Sequence, residues 1–368
     1  VKITDIRPAF ISKQRVTPRT NGKYTYRFTN VVFAFVDTDE GVSGFGWVGG
    51  GDRGSQMICQ AISEMRDYVV GIDPFCVDQV WAKLYLPKVF GRKGLSTRAI
   101  SAIDIALWDV KGKATGKPVH KLLGGNLERV PAYIAGGYYA DGKTLKDLAS
   151  EMEAYLKMNA RAVKMKVGAV PIRQDIERVR VVRETIGPDI SLLVDANNAY
   201  WPHEAVRFAR AVEKYDPFWF EEPVSPDDIP GQATVAAATT IPIAIGENEY
   251  TRWGFRDLID NKCADVLNAD AQVLGGITEW KRVANLAAAY DIPVAPHGNQ
   301  DVHVHCVASA PNSLILECGQ LDPKEPILLD EIFTNRQRLG KDGLCPVPQT
   351  PGMGIELDMK AFEKYRAG

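Results

Sequence analysis

Between Leu192 and Glu247 three short apolar runs each end in one carboxylate. Leu192-Leu193-Val194 runs into Asp195, Phe218-Trp219-Phe220 into Glu221, and Ile243-Ala244-Ile245 through Gly246 into Glu247. A beat of roughly one acid per strand-plus-helix unit belongs to an alternating α/β chain. In a (β/α)8 barrel the C-terminal strand ends form one face, and chemistry is built there. Asp195, Glu221 and Glu247 would then meet at one mouth as hard oxygen ligands, the donor set that Mg2+ prefers. Any one of them alone reads as an ordinary loop acid. Three at the same place in successive units read as a metal site.

Two further groupings supply acid–base chemistry. In Ala162-Val163-Lys164-Met165-Lys166-Val167 the lysines share one strand face and Val163, Met165 and Val167 the other. The apolar face belongs against helices, which turns Lys164 and Lys166 into the barrel. Buried ammonium groups need acids nearby. Their mutual repulsion is expected to lower at least one pKa toward that of a working base. Farther on, Val266-Leu267-Asn268-Ala269-Asp270 and Ala295-Pro296-His297 place an acid and an imidazole at adjacent strand ends, where the carboxylate can orient the ring. Lys166 and His297 then face each other across the metal. The arrangement suits removal of a proton α to a carboxylate from either side, the metal bearing the enediolate charge.

The elements that must position these groups fall into an α/β chain: a modified (β/α)8 TIM-type barrel with an N-terminal α+β capping domain. Residues 1–125 lack the strand–helix beat. A strand at Val1–Ile11 and a hairpin turning at Thr38-Asp39-Glu40-Gly41 precede helices at 55–70, 77–86 and 96–113, the last closed by Gly116-Lys117-Pro118. Residues 126–325 form the barrel, with strands six to eight at 266–268, 293–295 and 314–316. Residues 326–368 return to the capping domain. The tract Thr17–Asn30 has no clear period and reads as a polar, mobile loop. As a lid, its Arg19, Lys23, Tyr24, Tyr26 and Arg27 could hold the far end of a polyhydroxy or dicarboxylate substrate.

Two motifs are decoys. Gly44-Phe45-Gly46-Trp47-Val48-Gly49 fits the dinucleotide fingerprint, but it lies in a hairpin strand with no helix opening at its end; it reads as a glycine-rich flap. His303-Val304-His305 fits a metallohydrolase pair, yet it follows strand seven and the chain has only five histidines. A net charge of −2 argues against a nucleic-acid or acidic-membrane partner. The start reads as a strand rather than a leader, so a cytoplasmic protein is expected. The six cysteines show no C-x-x-C spacing and read as reduced, packed thiols.

Taken as a set, Lys164-Met165-Lys166, Asp195-Ala196-Asn197, Glu221-Glu222-Pro223, Gly246-Glu247-Asn248, Asp270, His297 and Glu317 resemble the mandelate racemase-like subgroup of the enolase superfamily. The resemblance covers nearly the whole chain. It implies Mg2+ on Asp195, Glu221 and Glu247, with Lys166 as one acid/base and His297 with Asp270 as the other. It further implies that Lys164 lowers the Lys166 pKa and neutralises a substrate carboxylate, which Glu317 hydrogen-bonds. Asn197 would touch substrate or metal water. The expected reaction is dehydration of a mono- or diacid sugar to a 2-keto-3-deoxy acid. Racemisation, epimerisation and lactone cycloisomerisation are the alternatives. A homo-oligomer is implied, an octamer among the options.

Overall fold

The computed structural model describes residues 1–51, 53–319 and 326–368. Its first layer is an antiparallel sheet of β1 (Ile3–Thr20), β2 (Thr25–Thr38) and β3 (Ser43–Gly49). The turn at Thr38–Gly41 is where the sequence puts it. The expected loop at 17–30 is not a loop. Lys13 pairs with Thr29 and Arg19 with Tyr26, so β1 and β2 continue outward as a ribbon. The Asn21 side-chain oxygen closes its tip by accepting from the amides of Lys23 and Tyr24 at 2.8 and 2.6 Å. A register irregularity between Gln14 and Arg19 destroys the alternation that would have revealed the strands.

Five helices follow: α1 (Ser55–Arg66), α2 (Val77–Leu84), α3 (Pro87–Phe90), α4 (Leu95–Thr115) and α5 (Val119–Leu122). Helix α4 ends at Gly116, whose φ of +63° is the left-handed stop read from the sequence. It is buried on nearly every side because it lies between β3 and the barrel. The glycines of the decoy motif serve that packing. A Cβ on Gly46 would sit 2.1 Å from the Ala102 carbonyl oxygen, and one on Gly44 2.6 Å from that of Ala106. The motif is therefore a strand that admits a helix backbone, not a flap.

The barrel alternates β4 (Arg129–Ala135), α6 (Leu145–Lys157), β5 (Ala162–Lys166), α7 (Ile172–Ile186), β6 (Ser191–Asp195), α8 (Pro202–Val212), β7 (Pro217–Glu221), α9 (Ile229–Ala238), β8 (Ile243–Ile245), α10 (Thr251–Asp260) and β9 (Val266–Leu267). After α11 (Ala271–Leu274), α12 (Gly276–Ala288) and α13 (Gln300–Val307), β10 (Leu316–Cys318) pairs in parallel with β4. Expected strand seven shrinks to Val294, which bridges Leu267 and Ser313 and closes the ring. Pro293 and Pro296 carry no N–H, so only Val294 and Ala295 can donate, to Asn312 and Leu267. Strand eight lies two residues later than expected, placing Glu317 inside it.

Tyr133, Leu193, Trp219, Val266 and Ile315 fill the barrel interior with Ala162, while Val163, Met165 and Val167 belong to the outer core. The inward face of β5 is thus the lysine face, as its pattern predicts. The tail forms α14 (Leu328–Ile332), β11 (Phe333–Thr334), β12 (Leu344–Pro346), β13 (Glu356–Leu357) and α15 (Met359–Tyr365). It contacts both earlier parts: β12 pairs with β4, and the Ala367 amide donates to the Phe10 carbonyl at 3.0 Å. The boundary expected at 325 lies outside the described residues. Among the described residues, no helix is long and apolar enough to cross a membrane.

Candidate active site

Parallel pairing sets Asp195 beside Glu221 at the ends of β6 and β7. Glu247 follows β8 by two residues, and the three side chains offer oxygens within 4.8 Å of one another. All three residues are buried. Asp195 accepts from the Asn197 amide at 2.8 Å, Glu221 from the Trp219 indole at 3.0 Å, and Glu247 from the Asn197 amide group at 3.1 Å. Asn197 itself holds a φ of +45° in doing so. One oxygen of Glu247 and the side-chain oxygen of Asn197 are buried without a well-formed hydrogen bond, the Glu247 oxygen having the His297 ring beside it. Burial and then the Asp195 charge push the Glu221 carboxyl up to about 8. Orphaned acceptors and crowded, mutually repelling carboxylates fit a small hard dication.

The lysines reach the same acids. Lys164 donates to Glu221 at 2.8 and 3.0 Å and to Glu317 at 3.0 Å; Lys166 donates to Asp195. Burial disfavours both ammonium groups. Glu221 and Glu317 nevertheless hold the Lys164 pKa well above its ordinary value, and Asp195 does the same for Lys166. Repulsion from Lys164 does lower the Lys166 pKa, as expected, but the facing acids outweigh it and the net shift is upward.

On the other flank, Asp270 caps α11 by accepting from the Gln272 amide at 2.7 Å. Its second oxygen lies 3.0 Å from Nδ1 of His297, which leaves Nε2 at 3.1 Å from the second oxygen of Glu247. Burial would lower the His297 pKa, but Glu247 and Asp270 outweigh it and hold it well above the usual histidine range. Glu317 gathers Lys164, the Tyr133 hydroxyl at 2.8 Å and the Gly298 amide at 3.1 Å. Lys166 and His297 thus approach the carboxylate triad from opposite sides, one against Asp195 and the other against Glu247.

A cavity of about 360 Å³ opens beside these groups. His297, Glu317 and Tyr138 line its floor, and Lys13, Arg15 and Arg19 of β1 line its roof. Tyr26 is mostly buried; burial and then Tyr138 raise its phenol pKa. Lys23 and Tyr24 sit elsewhere, exposed at the hairpin tip with the ammonium 5.9 Å from the ring centre. Arg27 is exposed too. Tyr133 and Tyr138 escaped the sequence reading. Strand alternation placed Tyr133 on the inner face, but nothing periodic marks Tyr138, whose ring lies 5.2 Å from the Lys166 nitrogen. The His303-Val304-His305 pair is structural. His303 accepts from the Ala271 amide at 2.9 Å with its other nitrogen on the Gly298 carbonyl, and His305 contacts the Met353 carbonyl at 3.0 Å.

Comparison with known proteins agrees with this geometry. Residues 147–361 match the family described as enolase C-terminal domain-like, and residues 7–124 match the mandelate racemase/muconate lactonizing enzyme N-terminal domain. The arabinonate dehydratase of Saccharolobus solfataricus is 34% identical over 343 residues, covering 91% of this chain and 90% of that protein. The D-galactarolactone cycloisomerase of Agrobacterium fabrum is 32% identical, covering 100% and 99%. The structure of L-talarate/galactarate dehydratase from Salmonella typhimurium LT2, liganded with Mg and L-lyxarohydroxamate, superposes with a TM-score of 0.92 at 29% identity, covering 100% and 93%.

Proposed function

The chain belongs to the mandelate racemase/muconate lactonizing enzyme family of the enolase superfamily, and on that premise we propose that it is a Mg2+-dependent hydro-lyase dehydrating a mono- or diacid sugar to a 2-keto-3-deoxy acid. The observation that carries this reading is the placement of Lys166 and His297 on opposite flanks of one carboxylate triad. Names among the relatives support it, arabinonate dehydratase foremost.

Asp195, Glu221 and Glu247 would hold the metal. Bound there, Mg2+ would supply the positive charge that stabilises an enediolate. Lys166, released as an amine, takes the α-proton. Lys164 balances the substrate carboxylate, and Glu317 hydrogen-bonds it. His297, kept in its proton-bearing form by Asp270, gives that proton to the β-hydroxyl, which leaves as water. The resulting enol becomes the ketone. Arg19, which lines the roof of the cavity, and Asn197 are assigned to substrate binding; Lys23 and Tyr24, exposed at the hairpin tip and outside the cavity lining, are not. Division at residues 125 and 325, homo-oligomeric assembly and cytoplasmic residence belong to the same reading.

Cycloisomerisation of a lactone is the second reading, favoured by the full-length likeness to the galactarolactone enzyme. It shares the enediolate and differs in what leaves. A Mg2+-dependent screen of mono- and diacid sugars, read as 2-keto acid, separates the two. Keto acid lost in both Lys166→Ala and His297→Asn supports dehydration. Turnover of lactones alone moves the assignment to cycloisomerase. Deuterium uptake at an α-carbon without either product indicates a racemase or epimerase.

A further inference from the structure

Behind the base-bearing strand lies a buried polar group that the proposed chemistry does not use. Asp175 on α7 is fully buried. One of its oxygens accepts from the Tyr139 hydroxyl; the other accepts from the Tyr200 hydroxyl at 3.0 Å and the Gly168 amide at 2.9 Å. These partners come from three different loops at the barrel mouth. Gly168 lies two residues beyond Lys166, and Tyr200 ends the loop that starts at Asp195. Tyr139 follows β4 and exchanges both backbone hydrogen bonds with Thr20 of the hairpin, at 3.0 and 2.9 Å.

One helical turn farther on, Arg178 completes the arrangement. Its guanidinium stacks 4.0 Å from the Tyr139 ring centre and lies 3.6 Å from Asp175. It also donates to the Gly137 carbonyl at 2.8 Å and to the carbonyl of Lys166 itself at 3.2 Å. The hairpin tip meets these loops without clearance. A Cβ on Gly22 would stand 2.1 Å from the Ala196 carbonyl oxygen and 2.6 Å from that of Val167. Roof, base strand and metal loop therefore converge on one carboxylate.

We propose that Asp175 is a positioning residue that docks the β1–β2 hairpin, through Tyr139, onto the strand carrying Lys166. Seating the roof and fixing the Lys166 backbone are then a single event. Loss of the carboxylate charge frees the Tyr139 loop, and with it the Thr20 pairing, while the triad keeps its own hydrogen bonds. The consequence for proton transfer rests on the assignment of Lys166 as a base; the docking role does not.

Two variants test this, Asp175→Asn and the milder Tyr139→Phe, which removes only one hydroxyl. Amide hydrogen exchange should show protection at Thr20 and Tyr139 falling at least about tenfold in both, with β6 amides unchanged. Protection retained at those amides overturns the proposal. The second readout is α-proton exchange in deuterium oxide with Mg2+, using galactarate and L-talarate as probes epimeric at an α-carbon. The expected result is about a tenfold loss at the face served by Lys166 and less than twofold at the His297 face. Equal losses at both faces mean a merely structural role and overturn it as well. If the unaltered protein exchanges neither acid, the enediolate reading is what fails, and amide protection alone decides the docking role.

Discussion

Two walls enclose the same cavity and are built on different physical terms. The barrel wall is over-determined. Asp195, Glu221, Glu247, Asp270 and Glu317 are buried, each fixed by hydrogen bonds from backbone, indole or side-chain amide donors. The roof, made of Lys13, Arg15 and Arg19, presents long cationic side chains from a two-stranded ribbon whose turn exposes Lys23, Tyr24 and Thr25. A rigid wall places atoms for bond-making, whereas a ribbon of long side chains places charge. The difference teaches where to look for rate and where to look for selectivity: barrel substitutions should lower kcat, and roof substitutions should raise KM.

The strongest attempt to break that contrast is Lys166→Ala. Removing the proposed base should cut kcat about 10³-fold with little change in KM, measured by steady-state kinetics. A KM effect instead would erase the contrast between walls. Metal comes next. Chelation should abolish turnover, and saturating Mg2+ at about 100 times its Kd should stabilise the fold by about 2.7 kcal/mol in urea titrations. Glu247→Gln should lose that increment, whereas Arg19→Met should keep it.

Acid sharpens the same contrast from outside the cavity. His120 and His305 are buried like the mouth groups but lack a carboxylate, and burial lowers both to about 4. Their rings are neutral in the fold, so their contribution is complete above the unfolded pKa near 6.5. It is lost as pH falls toward 4, at about 2 kcal/mol per ring, and urea midpoints from pH 7 to 4.5 should record it. His297, held up by Asp270 and Glu247, should add nothing to that acid loss. Smaller still, Arg19→Met should raise KM for diacids about tenfold with kcat within twofold. Lys23→Ala, at the exposed tip, should change neither by more than about twofold.

What the sequence made legible followed from period and strand ends. The face of Lys164 and Lys166, the carboxylates at Asp195, Glu221 and Glu247, and the nearness of Asp270 to His297 all come from alternation and from where apolar runs stop. What it hid was set by partners distant in the chain. The ribbon at 17–30 looked like a loop because backbone pairing holds it and its irregular register scrambles the side-chain pattern. Gly44 and Gly46 looked like a flap because the helix they admit comes half a domain later. The direction of the lysine pKa shifts was missed because repulsion between neighbours is visible locally, whereas the acids that outweigh it lie on other strands.

Helix α4 has a consequence for anyone who would retool this scaffold. Trp108 donates to Thr278 at 2.9 Å, Asp104 accepts from the Thr278 amide at 2.9 Å, and Ser101 accepts from the Gly275 amide at 3.0 Å. Asp109 accepts from Phe45 on one side and Met353 on the other. A chimera cut between the first domain and the barrel would sever the three bonds to Gly275 and Thr278 at once. The natural unit of exchange is therefore the ribbon, grafted between Lys13 and Thr29, with the helix beneath it left as inherited.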